Sequence, residues 1–219
     1  MTYDFTSIID RKGKDALAVE AVNFTGTSEV TTKEGFSRIP MWVADMNFAT
    51  VPTIQKAIIE RVKHPLFGYF NPSAEYYQAI IDWQAKRHDV KGLASHNIGY
   101  ENGVLGGLIS AANTLCSKGD NILLHSPTYV GFTMCLKNNG YNLVLSPLVK
   151  DEKGIWRMDY KDMEAKIKAK HIHTAIFCSP HNPSGRVWEK WEIEKAMDLY
   201  KKYNVFVISD EIWADLTLN

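Results

Sequence analysis

The stretch from His173 to Leu216 reads HTAIFCSPHNPSGRVWEKWEIEKAMDLYKKYNVFVISDEIWADL. It opens with an apolar run at residues 174–178 and contains a second apolar run at residues 205–208. A loop rich in Pro, Asn and Gly and then a helical pattern separate the two runs. A strand, a helix and a strand of these lengths predict a βαβ unit whose two strands lie parallel.

Polar side chains follow both predicted strands. Asn182 lies in the cluster Ser-Pro-His-Asn-Pro-Ser-Gly, and Asp210 lies in the cluster Ser-Asp-Glu. Taken singly, an Asn between prolines is typical of a turn, and an Asp after a strand is typical of a helix N-cap. Open α/β sheets bind their ligands at the carboxyl ends of the strands, so we expect Asn182 and Asp210 to share one crevice.

The composition excludes several classes of protein. The 219 residues contain 25 Lys+Arg and 25 Asp+Glu, and 45% of them are apolar. This balance is typical of a soluble globular protein and argues against a nucleic-acid partner. The apolar runs are far shorter than the ~20 residues that span a membrane. Three cysteines without CxxC spacing favour reduced thiols in a cytoplasmic protein.

Strand and helix patterns alternate through the rest of the chain. Helices are predicted to begin at Pro52 and after the N-caps Ser73 and Asp159, and a further helix is predicted to end at about Cys116. Further strands are predicted at residues 97–101, 121–125 and 142–146. The alternation predicts an α/β fold, with a mostly parallel sheet and helices on both faces.

Two other patterns were weighed as ligand sites. The run Asn102-Gly103-Val104-Leu105-Gly106-Gly107 opens a helix, where free N–H groups favour phosphate, although a bare tight turn stays open as an alternative. It matches neither GxGxxG nor a Walker motif, which disfavours a dinucleotide or ATP. His171 and His173 alternate, but no third ligand lies near them in the sequence, so no metal site is predicted.

Two motifs carry a resemblance to a known family. Asn182-Pro183-Ser184-Gly185 and Ser209-Asp210-Glu211-Ile212-Trp213 resemble the signatures of fold-type I pyridoxal-phosphate enzymes, the class I/II aminotransferase superfamily. The resemblance implies that Asn182 hydrogen-bonds the phenolic oxygen of pyridoxal 5'-phosphate and that Asp210 pairs with its pyridine nitrogen. An ionised carboxylate keeps that nitrogen protonated, and the protonated ring withdraws electrons from the substrate Cα.

The same resemblance implies further cofactor contacts. Ser126-Pro127-Thr128-Tyr129 is similar to the motif whose aromatic ring stacks on the cofactor, which assigns that role to Tyr129. Val104 and Leu105 stand where the family binds the phosphate with backbone N–H groups. Phe67-Gly68-Tyr69 is similar to the loop whose Tyr reaches the phosphate of the neighbouring subunit. Tyr69 therefore implies a homodimer.

The segment Met41-Trp42-Val43-Ala44-Asp45-Met46-Asn47-Phe48 resembles the WVADMDF signature of the cystathionine β-lyase (C–S lyase) branch. That branch implies β-elimination on cystathionine or related cysteine S-conjugates, giving pyruvate, ammonia and a thiol. Two positions depart from the pattern: Asn47 replaces the usual Asp, and Trp213 stands where relatives often carry His or Tyr. The alternatives are an aminotransferase of the same superfamily and a non-catalytic regulator-binding protein on this fold.

The resemblance also implies that part of the family's enzyme is missing from these residues. Residues 1–48 are predicted to be an N-terminal arm or part of the small domain, and residues 49–219 a truncated cofactor-binding large domain. Family members hold the cofactor through a Schiff base to a lysine that follows the aspartate strand. No lysine occurs between Asp210 and Asn219, so we expect an incomplete large domain that is inactive alone.

Overall fold

The computed structural model describes residues 3–21, 33–36 and 39–216. Helices and strands alternate over most of the third range, as the sequence predicts. Within the described ranges, no helix is both long enough and apolar enough to cross a lipid bilayer.

The first compact unit comprises Met1–Phe70. It holds helix α1 at Leu17–Glu20 and helix α2 at Pro52–Val62, with a proline at the first position of α2, where no N–H is needed. The indole N–H of Trp42 donates to the carbonyl of Ala18 at 3.0 Å. This bond ties the motif that resembles the lyase signature to α1.

One arginine in this unit contacts both polar side chains of that motif. Arg11 forms an ion pair with the Asp45 carboxylate at 2.5 Å, and its other terminal nitrogen donates to Asn47 Oδ1 at 3.3 Å. The departure to Asn at position 47 therefore leaves Arg11 facing one carboxylate and one neutral amide. The motif keeps its hydrogen bonds with one negative charge fewer.

The second compact unit comprises Asn71–Asn219, and the predicted division of the chain after residue 48 stays a prediction. The unit contains helices on both sides of a sheet and one small hairpin. Its helices are α3 (Ala74–His88), α4 (Val104–Leu115), α5 (Val130–Asn138), α6 (Tyr160–Ala169) and α7 (Lys190–Lys202). Its strands are β1 (Asn121–Ser126), β2 (Asn142–Pro147), β3 (Val149–Lys150), β4 (Trp156–Arg157), β5 (Thr174–Cys178) and β6 (Phe206–Asp210).

Four of the strands form a parallel sheet in the order β2–β1–β5–β6. The βαβ unit predicted from the sequence is β5–α7–β6, and its strands pair in parallel from Thr174 opposite Phe206 to Cys178 opposite Asp210. All five residues of β5 are buried, as the continuous apolar run of a central parallel strand requires. The predicted α/β fold is confirmed.

The two faces of the sheet bury separate apolar clusters. Ile122, Leu124 and Ile176 pack with α4 and α5 on one face. On the other face, Leu123 and Phe177 pack with α6 and α7. Each fully buried side chain of this size contributes about 1.5–3 kcal/mol, so alternation along the strands holds helices on both faces.

Local side chains set where two predicted helices begin. Ser73 Oγ accepts from the N–H of Tyr76 at 3.2 Å and caps α3. The Asp159 carboxylate accepts from the N–H groups of Lys161 and Asp162 at 3.1 Å and 3.0 Å and caps α6. Both caps confirm the sequence prediction, because each oxygen satisfies N–H groups that a helix start leaves free.

One predicted strand is wrong, and one hairpin was not predicted. Residues 97–101 join no described strand; a 3₁₀ turn at Ser95–Asn97 precedes them. The Asn97 side chain accepts from the N–H of Ala94 at 3.0 Å and closes this turn, which competes with strand pairing. The hairpin is the antiparallel pair β3–β4, whose strands of two residues are too short to show a period.

Candidate active site

In the second unit, each predicted site residue lies at or just after the end of a strand or at the start of a helix, at one edge of the sheet. Strands β1, β5 and β6 run parallel, so the polar segments after Ser126, Cys178 and Asp210 leave the sheet at the same end. Open α/β sheets place ligands there.

Asp210 is the last residue of β6 and is buried, with 7% of its surface exposed. Its Oδ1 accepts from the N–H of Ile212 at 3.1 Å. Its Oδ2 faces the Cys178 sulfur at 3.8 Å. Because Asp210 pairs in register with Cys178, the sheet itself holds this carboxylate on the face that α4 and α5 cover.

Cys178 joins the aspartate to the asparagine loop. The Cys178 thiol donates to the carbonyl of Pro180 at 3.3 Å, and the Ser179 N–H donates to the carbonyl of Asp210 at 3.0 Å. Burial, with the negative charge of Asp210 adding to it, raises the pKa of the Cys178 thiol to about 11. Cys178 therefore stays neutral between the start of the Asn182 loop and the Asp210 carboxylate.

The loop that carries Asn182 is closed by its own hydrogen bonds. The His181 N–H donates to the carbonyl of Arg186 at 2.7 Å, and the Gly185 N–H donates to the carbonyl of His181 at 2.8 Å. Within the loop, His181 Nδ1 lies 2.7 Å from Ser184 Oγ. The Asn182–Pro183 bond is cis.

The first turn of α4 contains Val104 and Leu105, the predicted phosphate-binding residues. Its N-cap is Gly103, with φ 89°, which has no side chain to accept from the N–H groups of this turn. Such N–H groups and the helix dipole favour an anion. The Glu101 side chain lies beside the same turn, since a Cβ built on Gly107 would be 3.5 Å from Glu101 Cγ. An anion at this turn therefore requires the Glu101 carboxylate to point away from it.

Tyr129 lies at the N-cap of α5, and its ring covers Gly131. A Cβ built on Gly131 would lie 2.3 Å from Tyr129 Cε1 and 3.0 Å from Leu105 Cδ1, so only glycine leaves room for both side chains. The ring also makes an edge contact with Phe132, with the ring centroids 5.4 Å apart. Gly131 thereby brings Tyr129 against Leu105 of α4.

Trp213 and Tyr69 are placed differently. Trp213 is half-buried in the turn after β6. Asp215 of the same turn accepts from the Trp83 indole at 3.1 Å and lies 2.8 Å from His88 Nε2, and these contacts hold the turn against α3. Tyr69 belongs to the first unit and is fully exposed. The described contacts join the start of the Asn182 loop to Asp210 and place Leu105 beside Tyr129. The role given to Tyr69 stays a prediction.

Two residues of this region carried no predicted role. Cys178 is one of the three cysteines predicted to be reduced thiols, and its alternation with Ile176 along β5 places both side chains on one face of the sheet. Gly131 follows Tyr129 by two positions, and a glycine inside a helix is a signal of close approach. A groove of about 420 Å³ beside Ser209 and α7 lies on the opposite face of the sheet from the Asp210 carboxylate.

Comparisons with known proteins agree with this fold. The model of the family "Aminotransferase class I and II" matches residues 39–219. Cystathionine beta-lyase PatB of Bacillus subtilis is 32% identical over 94% of this chain and 52% of its own length. Protein MalY of Escherichia coli is 29% identical over 98% of this chain and 53% of its own length.

Among solved structures, the PLP-bound C-S lyase of Staphylococcus hominis matches with a TM-score of 0.83 and 34% identity, over 96% of this chain and 51% of that one. The chain spans about half the length of the curated relatives it matches. The resemblance derived from the NPSG and SDEIW motifs is confirmed. The chain belongs to the aminotransferase class I and II family.

Proposed function

We propose that this chain is the pyridoxal-phosphate-binding part of a carbon–sulfur lyase. Its reaction is β-elimination on cystathionine or a related cysteine S-conjugate, which gives pyruvate, ammonia and a thiol. The observation that carries the proposal is the buried Asp210 carboxylate beside the Asn182 loop at the ligand-binding edge of the sheet. Similarity to PatB and to the S. hominis C-S lyase supports the reaction class.

The residues present fit the cofactor. The thiol of Cys178 is a weak donor that lies 3.8 Å from Asp210 Oδ2 and closer, at 3.3 Å, to the Pro180 carbonyl. A protonated ring nitrogen would supply the short, charge-assisted hydrogen bond that this oxygen lacks. The first turn of α4 offers N–H groups to a phosphate, and Tyr129 offers an aromatic face. A cation site, an anion site and a stacking surface are the three parts the cofactor needs.

When bound, the cofactor supplies a protonated pyridine ring that withdraws the electron pair released at the substrate Cα. Asp210 holds the proton at the ring nitrogen, because the charged form is favoured beside a carboxylate. The Asn182 amide donates to the phenolic oxygen, and the Tyr129 ring excludes water from one face. Val104 and Leu105 bind the phosphate through their N–H groups. Trp213 has only an indole N–H to donate, so it can offer the cofactor one hydrogen bond but cannot accept one or move a proton.

We infer from the family resemblance that catalysis requires residues in addition to these. The contacts that these 219 residues offer to the cofactor are the non-covalent ones described above. Tyr69 reaches the phosphate of a partner subunit, which makes the active enzyme a homodimer. The free cysteines at positions 116, 135 and 178 support a cytoplasmic location.

A binding experiment tests the cofactor assignment. Pyridoxal phosphate is titrated into the chain and into the variant Asp210→Asn, and binding is followed by the change in cofactor absorbance. Loss of a charged hydrogen bond worth about 1.5–3 kcal/mol should weaken binding by about 10- to 100-fold. The matched control is Asp198→Asn, an exposed acid on α7. Equal affinity in both variants would remove Asp210 from the site.

A turnover experiment tests the reaction. The intact gene product is loaded with pyridoxal phosphate and given L-cystathionine, and pyruvate, ammonia and free thiol are measured. Equal amounts of all three products support the lyase. Conversion to an oxo acid that depends on an added amino-group acceptor, without thiol release, would refute the lyase and identify an aminotransferase. A cofactor-loaded protein that does neither would refute the proposed activity and leave the regulator-binding alternative.

A further inference from the structure

The edge of the sheet at the amino ends of its strands contains a cluster of three side chains of types that bind metal ions. Cys116 is the residue that ends α4, Asp120 directly precedes β1, and His173 directly precedes β5. Strands β1 and β5 pair in parallel with Ile122 opposite Thr174, so the residues before them meet at the amino ends of the strands. This edge is opposite the one that carries Asp210.

The three side chains are close enough to share one ion. The Cys116 sulfur, a carboxylate oxygen of Asp120 and a ring nitrogen of His173 all lie within 4.8 Å of one another. His173 Nε2 is 3.3 Å from Asp120 Oδ2. In a tetrahedral zinc site, bond lengths of about 2.0–2.2 Å separate a nitrogen and an oxygen ligand by about 3.3 Å. The histidine and the aspartate are therefore already at ligand spacing.

A simple ion pair explains these contacts less well. A charge-assisted N–H···O bond is about 2.7–2.9 Å long, so 3.3 Å between His173 and Asp120 is long for such a bond. An ion pair also does not involve Cys116, whose sulfur lies within 4.8 Å of both of these groups. A shared cation accounts for all three side chains.

The surroundings hold the ligands in place. The Ser117 N–H donates to Asp120 Oδ2 at 2.8 Å. The Cys116 sulfur lies 3.2 Å from Thr174 Oγ1, on a side chain that is fully buried. A hydroxyl at that distance can turn its proton toward a thiolate. Hydrogen-bonding partners of this kind orient ligands and are a regular part of metal sites.

We propose that Cys116, Asp120 and His173 bind a zinc-class divalent cation at the amino-terminal edge of the sheet. Thiolate, carboxylate and neutral imidazole carry two negative charges, which a divalent cation neutralises, and sulfur favours zinc over magnesium or calcium. Binding breaks the S–H bond of Cys116 and releases its proton to solvent. His173 is exposed, so the fourth position is open to water.

Cobalt is the probe for this site. The chain, reduced and freed of metal without pyridoxal phosphate, is titrated with Co²⁺ and then with Zn²⁺. We expect one Co²⁺ per chain, a sulfur-to-cobalt charge-transfer band, tetrahedral ligand-field bands, and loss of all of them when Zn²⁺ displaces cobalt. Absence of the charge-transfer band, or octahedral bands alone, would overturn the proposal.

Matched variants locate the ion. Cys116→Ser should abolish the charge-transfer band. Asp120→Asn and His173→Asn should each weaken Co²⁺ binding by more than roughly 10- to 100-fold, which is the loss expected when a residue only hydrogen-bonds to a metal ligand. The controls Cys135→Ser and His171→Asn keep the three ligands and should bind as the parent does. His173 is exposed, so its variant stays informative if Cys116→Ser does not fold. Unchanged binding in His173→Asn, or equal loss in His171→Asn, would refute the site.

Discussion

Replacing Glu192 by Gln should destabilise the second unit and loosen the loop of Asn182. Glu192 is fully buried in the first turn of α7. Its carboxylate pairs with Arg186, lies 3.0 Å from Arg157 Nη1, and accepts from the Glu189 N–H at 2.9 Å. The substitution keeps the shape of the side chain and removes the buried negative charge that both arginines share. The half-exposed Glu189 stays 2.7 Å from Arg157 and 3.7 Å from Arg186.

The expected size follows from the surroundings of the two arginines. Removing one partner of a buried ion pair costs about 3–5 kcal/mol. Arg157 keeps Asp151 at 2.9 Å and Glu189 at 2.7 Å, and the side chains of both arginines are about one-fifth exposed, so other charges and water reduce the cost. We therefore expect a loss of about 2–3 kcal/mol, a large share of the roughly 5–15 kcal/mol typical of a domain.

The assay is urea unfolding followed by far-ultraviolet circular dichroism. The control Glu194→Gln changes an exposed residue of the same helix, 3.7 Å from Lys190, and should shift the free energy of unfolding by less than about 0.5 kcal/mol. The two variants should share one m-value, since neither changes the surface exposed on unfolding. Equal stabilities would refute the role given to the buried carboxylate.

Two further predictions concern other residues. Gly131→Ala should displace the Tyr129 ring, lower the free energy of unfolding by about 1–3 kcal/mol and weaken pyridoxal-phosphate binding. The control Gly107→Ala adds a Cβ that makes ordinary contacts, so it should change neither stability nor binding. Urea unfolding measures the stability of each variant, and cofactor titration measures its binding. Burial lowers the pKa of His125 and of His181 to about 4 from 6.5. Between about pH 6.5 and pH 4, both rings are therefore protonated in the unfolded chain and neutral in the folded protein. As the pH falls through this range, each ring should lower the free energy of unfolding by up to about 1.4 kcal/mol per pH unit. Unfolding measured at neutral pH and near pH 5 should show this slope, and a variant His125→Gln should show a smaller one.

The fold was predictable where apolar residues follow the spacing of a strand or of a helix. The strand β5, the helix α7 and the strand β6 followed from two apolar runs around a helical pattern, and the parallel sheet followed from their order. The segment at residues 97–101 was not predictable in this way, because the Asn97 side chain closes a turn that apolar pattern alone does not reveal. The hairpin β3–β4 depends on a register between two strands that are too short for a pattern.

The candidate sites differ in how far the sequence could lead. Asp210 and Asn182 were predictable, because each follows a strand of one βαβ unit and parallel strands end at one edge. The metal-ligating cluster was not, since His173 gains its partners Cys116 and Asp120 through the pairing of β1 with β5. A tertiary contact of this kind leaves no local pattern.

The two polar residues proposed to face the cofactor, Asp210 and Asn182, are held in place by different contacts, so substitutions should affect them separately. Asp210 is held by strand pairing with Cys178, so it stays in place as long as the sheet is folded. Asn182 sits on a loop whose far end is Arg186, and Arg186 is fixed by the buried Glu192. In the folded Glu192→Gln variant, cofactor binding should therefore weaken through the phenolic oxygen while the ring nitrogen keeps its carboxylate. Binding that falls as far as it does in Asp210→Asn would contradict this separation.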